Sequence, residues 1–423
     1  MVSGFSWFKE PHQRRDGLCT AVVDLGAQVI RVSLVDDEGC ALAYVPAPSE
    51  GIAQDGALVE IDRCGDLLSG LIAQAEGLGA HQVDRLVLTV PDTQLFSFSG
   101  TGHAGISNPT VEVSDLSRAA ENAVFSQEIA VGQKLIHAIP TECMLDGQSG
   151  IEDPVGLAGY RLGVQFFWVF CQSEHVENLQ RLCERAGLPQ PELIAAPLAA
   201  AMGGITRDEA ELGAVVVDLG HLCTSMTAWS EGAPRWMGHV PTGGRHLSSD
   251  LLQVFKLSAE QAERTLVSGL SGVAELEEAG GQLSIGRRRI DRHKAARVIQ
   301  ARLEDIFERV RNRLTTQAWW RVAENGVILT GGAAQIPHID RLAEVVLECP
   351  VRIASMERIE RDWTWPPVNA EVVTFRRLPD RMTIAGQLEF VRMNHLHHRQ
   401  IAAQRPWPAP DLRDLHEVFA RVG

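Results

Sequence analysis

Residues 21–34 read AVVDLGAQVIRVSL and residues 215–228 read VVVDLGHLCTSMTA, so VVDLG followed by a second strand-like run occurs twice. Each copy opens on β-branched residues in a run too short for a helix, which predicts a buried strand. The strand ends on an aspartate, Asp24 or Asp218. A carboxylate without a partner is costly to bury, so each is expected at a turn facing water, a cation or a hydrogen-bond donor. One such segment alone reads as an ordinary Asp-Gly turn. Two read as one structural unit used twice. A third piece, GVILTGGAAQIPHI at 326–339, is a strand that breaks at Gly331 and Gly332 and enters a predicted helix. Paired glycines let backbone approach a ligand closely, and a helix N-terminus offers N–H groups and a positive dipole end to phosphate.

Two strand-Asp-x-Gly-strand hairpins and a strand-Gly-Gly-helix resemble the parts of the actin-type ATPase fold, and within it the FtsA family of bacterial cell-division proteins. LIHAIPTECMLDGQSGIEDPVGLAGYRL (135–162) resembles that family's Ile-Pro, Leu-Asp, Pro-Val-Gly and Gly-x-Arg-Leu segment. PLAAAMGGITRDEAELGAVVVDLG (197–220), VPTGGRHLSSDL (240–251) and LSAEQAERTL (257–266) follow in the family's order. The resemblance covers residues 18–395. It implies an α/β, actin-like (ribonuclease H-like, duplicated) two-lobed ATPase fold with an FtsA-type inserted subdomain. The implied first-lobe core is 1–89, 165–205 and 373–396, with the inserted subdomain at 90–164. The second-lobe core is 206–246 and 320–372, its outer subdomain 247–319, and 397–423 a linker and C-terminal amphipathic helix.

A chain of 423 residues exceeds the usual size of a single core, which agrees with two lobes. A net charge of −15 argues against general nucleic-acid binding, which rests on neutralising phosphates with Lys and Arg. The eight cysteines are scattered without a CxxC or other metal spacing and read as reduced thiols in a cytoplasm. No span approaches the ~18 apolar residues that cross a bilayer, and MVSGFSWFKEPHQRR lacks a secretion signal's apolar region. The chain is therefore expected to be soluble or attached to a membrane surface. Its clearest helix is predicted over 293–314, where Val298, Ile299, Leu303, Ile306, Phe307, Val310 and Leu314 recur at three- and four-residue steps.

The resemblance implies ATP in the cleft between the lobes, with Mg²⁺ held through water by Asp24 and Asp218. A hard cation that keeps most of its waters and takes one or two carboxylates suits that assignment. Gly26 and Gly220 are assigned to phosphate approach, Thr224 to a hydroxyl donor, Gly331 and Gly332 to the adenosine border, and Glu263 to the ribose or base. Gly243 and Gly244 are placed at the matching hinge-side turn, either for the ligand or for their backbone angles. Departures stand beside the matches. Where the family places small hydroxyl residues and a lysine after the first hairpin's glycine, this chain has Ala27, Gln28 and Val29. The second hairpin carries His221, Leu222 and Cys223, with Ser225 where an aspartate is frequent, and Leu266 replaces a lysine. Each lost charge-assisted hydrogen bond removes about 1.5–3 kcal/mol, so weak ATP affinity and weak or absent hydrolysis are expected, and no general base is identified.

Implied partners are the acidic C-terminal tail of the tubulin-like protein FtsZ, other division proteins, further copies in protofilaments, and the membrane, with no nucleic acid. The tail is placed on the outer second-lobe subdomain near Arg287, Arg288 and Arg292, where residues 287–313 hold ten Lys or Arg against four acids. Residues 411–423 place Leu412, Leu415, Phe419 and Val422 on one helical face, which suits an interfacial anchor. The aromatic N-terminus, with Phe5, Trp7 and Phe8, is a second candidate contact. The expected location is the inner face of the cytoplasmic membrane at the division site. An actin-like scaffold of a pilus or secretion machine, or an FtsA paralogue independent of nucleotide, is the alternative.

Overall fold

The computed structural model describes residues 19–355, apart from 37–40, 50, 55–56, 59, 126–131, 152 and 279, together with Thr383 and Gln387. The first VVDLG run is strand β1 (Thr20–Leu25), which turns back antiparallel as β2 (Val29–Val35) and again as β3 (Ala41–Pro48). A small hairpin, β4 (Ala53–Gln54) and β5 (Ala57–Leu58), leads into helix α1 (Ile61–Gly79). Strand β6 (Arg85–Val90) then lies parallel to β1.

The chain next leaves the lobe for the inserted subdomain, made of β7 (Leu95–Gly105), α2 (Val113–Phe125), β8 (Gln133–Leu145), β9 (Gln148–Ile151) and β10 (Arg161–Gln172). Its sheet is antiparallel with the order β7-β10-β8-β9. Strand β10 carries the run FFWVF, and alternate side chains of a strand point to opposite faces. Phe167, Val169 and Cys171 accordingly enter the first-lobe core, whereas Phe166, Trp168 and Phe170 enter the core of the insertion. The expected boundary between 164 and 165 thus falls within a single strand that both cores share. Helix α3 (Ser173–Arg185) and β11 (Glu192–Ala195), parallel to β6, complete a first-lobe sheet of order β11-β6-β1-β2-β3.

Helix α4 (Ala196–Gly204) joins the lobes. Seven of its nine residues are buried, as suits a helix that is apolar all round. Ala199 packs with Val22, Val87 and Ile194 of the first sheet, and Ala201 with Val216 and Ile328 of the second. After α5 (Arg207–Leu212) the second unit repeats the first. Strands β12 (Ala214–Leu219), β13 (Thr224–Ser230) and β14 (Ala233–Val240) form an antiparallel meander.

The outer subdomain follows, with α6 (Gly244–Phe255), α7 (Ala259–Leu266), the hairpin β15 (Gln282–Ile285) and β16 (Arg288–Asp291), and the long helix α8 (Arg292–Thr316). Of the predicted apolar stripe on α8, all but the half-buried Val298 are buried. After α9 (Trp320–Ala323), strand β17 (Val327–Thr330), helix α10 (Ile339–Leu347) and β18 (Val351–Ile353) close a sheet of order β14-β13-β12-β17-β18. Each lobe therefore holds an antiparallel three-strand meander continued by two parallel strands, which is the duplicated architecture expected. Of the expected first-lobe segment 373–396, in which RMTIAGQLEFVRM (381–393) reads as a helix returning to that lobe, only Thr383 and Gln387 are described, both helical, and Gln387 Nε2 donates to the Val23 carbonyl at 2.9 Å. The proposed linker, C-terminal helix and aromatic N-terminus lie outside the described residues.

Candidate functional site

Parallel strands end on the same side of a sheet, and ligands of open α/β sheets bind beyond their carboxyl ends. Here the ends of β1, β6 and β11 in one lobe face those of β12 and β17 in the other. The cleft between them spans about 1070 Å³, part of it open to solvent, and Asp24, Gly26, Asp218, Gly220, Gly331 and Gly332 all line it. The glycines are demanded by the turns. A Cβ at Gly26 would collide with the Val29 carbonyl, and one at Gly220 would come within 2.9 Å of the Cys223 carbonyl, in each case three residues on. Gly331 has φ +90°, and a Cβ there would strike the Asp218 carboxylate.

Asp24 Oδ2 accepts from Arg31 Nη1 at 3.1 Å. This follows from strand register: Asp24 lies opposite Arg31 across the hairpin, as Asp218 lies opposite Ser225. Thr89 Oγ1 accepts the Leu25 N–H at 3.0 Å and donates to Asp24 Oδ1 at 3.4 Å. Asp92, just beyond β6, also lines the cleft. Its Oδ2 accepts from Cys223 Sγ at 3.4 Å, a contact between lobes, and its Oδ1 is buried with no hydrogen-bond partner among the described residues. Burial, helped by the charge of Asp24, pushes the Asp92 carboxyl up to about 6. Burial and the charges of Asp92 and Asp24 push Asp218 up to about 8, against partial relief from Arg31. Burial also raises the Cys223 thiol and lowers the His221 imidazole. Carboxyl groups held above their ordinary range in a cleft mark a place that favours an added cation. Among the described residues, no group of three His, Cys, Asp or Glu side chains converges to ligate a metal directly.

Three of the residues assigned from sequence stand behind this surface rather than on it. Thr224 is buried, and its hydroxyl donates to the Thr242 carbonyl at 2.8 Å, so it is no donor to a ligand. Gly244 N–H donates to the Gly220 carbonyl at 2.8 Å, and a Cβ at Gly243 would lie 2.5 Å from that same oxygen. Both glycines buttress the second hairpin loop. Glu263 is placed across from the first hairpin, where its Oε2 accepts from Gln28 Nε2 at 3.2 Å. Arg31, Thr89 and Asp92 were not anticipated. Hairpin register points to Arg31, and the Pro-Asp that ends a strand parallel to β1 points to Asp92.

The fold and this cleft define an actin-like protein of the duplicated ribonuclease H type. Solved structures of the same fold include that of the PilM-PilN type IV pilus biogenesis complex, at TM-score 0.65 and 14% identity over 90% of this chain and 99% of that one. MreB5 of Spiroplasma citri bound to ADP matches at TM-score 0.55 and 12% identity, over 90% of this chain and 98% of that one. The family model for cell division protein FtsA matches residues 215–372, and that for the SHS2 domain inserted in FtsA matches 93–170. The chain is 28% identical over 365 residues to cell division protein FtsA of Escherichia coli K12, covering 82% of this chain and 83% of that one. With FtsA of Neisseria meningitidis it shares 26% over 351 residues, 80% and 84% of the two chains. The chain belongs to the FtsA family, as a divergent member, and is an actin-like cell-division protein.

Proposed function

We propose that this chain binds ATP with Mg²⁺ between its lobes, links FtsZ filaments to the inner face of the cytoplasmic membrane at the division site, and helps recruit other division proteins there. The observation that carries the nucleotide part is the meeting of both hairpin loops with Gly331 and Gly332 around one cleft. The residues fit the cation. Asp218 and Asp92 are carboxyls held above their ordinary range by burial, with the charges of Asp92 and Asp24 adding to it at Asp218 and that of Asp24 at Asp92, and a hydrated ion takes only one or two carboxylates. Bound there, Mg²⁺ would neutralise phosphate charge. Asp24 and Asp218 would hold its waters, Arg31 would supply a fixed positive charge in place of the hairpin lysine, and the loops at Gly26 and Gly220 would approach the phosphates. A neighbour of the same fold, MreB5, has been solved with ADP. Calorimetry with ATP and Mg²⁺ is expected to show binding that Asp218→Ala weakens strongly, and a wild-type protein silent at millimolar ATP would sink the nucleotide reading.

For the acidic FtsZ tail the outer subdomain remains the surface of choice, with a change of residues. Arg288 Nη1 donates to the Phe255 and Lys256 carbonyls at 2.9 and 2.7 Å, capping α6. Arg292 pairs with the buried Glu277 at 2.8 Å. These two serve the fold. Arg287 and Arg297 are exposed, and Arg297 lines a groove between α6 and α8 with Val254, which is 59% exposed. Asp250 and Asp305 also line that groove and both pair with Arg302, so Arg297 and Arg287 are the charges left for an acidic peptide, with Val254 for an apolar side chain.

A further inference from the structure

Asp24 and Asp218 hold equivalent positions in the two hairpins, yet their surroundings differ. Asp24 has the Arg31 guanidinium at 3.1 Å, whereas the position opposite Asp218 is a serine, Ser225. The first aspartate is paired directly with a fixed cation, whereas the second has only partial relief from the same guanidinium. What shares the cleft with Asp218 is Asp92, carried in from the first lobe at the end of β6. One oxygen of Asp92 takes the Cys223 thiol at 3.4 Å, and the other is buried without a close hydrogen bond among the described residues, with the Ser225 hydroxyl the donor nearest to easing its charge. A buried carboxylate oxygen lacking a donor is costly, and a neighbouring acid makes it costlier.

From this asymmetry we infer that Asp92 and Asp218 are the carboxylate pair that holds the divalent cation through its water shell, one from each lobe, while Arg31 retains Asp24. The inference rests on the nucleotide reading above and revises it at one position, with Asp92 taking the place given there to Asp24. It also explains the interlobe thiol contact: Cys223 sits in the second hairpin loop and orients Asp92, leaving Oδ1 for the cation's water.

Electron paramagnetic resonance of Mn²⁺ titrated into the full chain, with ADP present, reads the bound cation directly. Asp92→Asn and Asp218→Asn should each weaken Mn²⁺ binding about tenfold or more, the usual effect of losing a partner one shell removed from a metal, and Asp24→Asn should weaken it less. ADP binding by Asp92→Asn in EDTA should persist. Cys223→Ala removes the thiol that orients Asp92 and keeps the carboxylate, so it should weaken Mn²⁺ binding less than Asp92→Asn does. If Asp92→Asn loses its native circular dichroism, Asp92→Ser carries the same expectation. Wild-type Mn²⁺ affinity in a folded Asp92 variant overturns the inference, as does a Cys223→Ala loss equal to that of Asp92→Asn. A wild-type chain that binds neither ADP nor Mn²⁺ overturns the nucleotide reading itself.

Discussion

Asp218 illustrates how a single residue can set stability against binding. Its carboxyl, raised to about 8 by burial and by the charges of Asp92 and Asp24, holds a proton more tightly in the folded than in the unfolded chain, where a value near 3.8 applies. The stability this contributes is fully present below the unfolded value and is lost as pH rises through the folded one. The ligand-free protein should therefore lose thermal stability between about pH 4 and pH 8 from this group. Asp218→Asn has no charge to bury, so its melting temperature should exceed that of wild type above pH 8, with the difference shrinking at pH 5. Differential scanning fluorimetry at the two pH values checks this. Equal melting curves would mean that Asp218 is better solvated than its place in the cleft indicates.

At the scale of elements, α4 is the piece with least freedom to change. Its alanines touch both sheets, and a Cβ on Gly204 would come within 3.2 Å of Ala354. Ala201→Leu inserts three carbons into a layer without space and should destabilise by about 1–3 kcal/mol, measured by urea denaturation. The same helix shows what sequence makes legible. Repeated VVDLG runs, strand periodicity and the stripe on α8 expose the duplicated fold because they obey local rules. The sharing of β10 between two cores was hidden, since FFWVF is apolar at every position and so does not announce which face meets which partner. Asp24, Gly26, Asp218, Gly220, Gly331 and Gly332 could be grouped in advance because each stands at a strand end and the resemblance implies that those ends share one cleft. Arg31 and Asp92 reach the cleft only through pairing register and sheet order. Thr224 misleads because a hydroxyl near a loop looks available, whereas here it is spent on the Thr242 carbonyl.

At the scale of the whole molecule, a net charge of −15 coexists with a local basic surface on the outer subdomain. If the proposed acidic tail docks there, its binding should be weak and salt-sensitive, since exposed charges are screened beyond ~8 Å at physiological ionic strength. Arg287→Glu with Arg297→Glu should weaken FtsZ tail-peptide binding several-fold in low salt, by fluorescence anisotropy, with the melting temperature unchanged. Arg288→Glu should instead lower the melting temperature, because it uncaps α6. Unaltered anisotropy in the double variant would point to another face. Removal of residues 411–423 should release the chain from sedimenting anionic vesicles, and retention would put the anchor elsewhere. The insertion, finally, is rooted beside the cleft at both of its ends. Asp92 and Thr93 line the cleft where the chain leaves the first lobe, and His175 and Leu179 line it just after β10 returns. With β10 wedged into two cores, the subdomain has no swivel. A load applied to its tip is therefore expected to be felt at the cleft wall, where Asp92 stands.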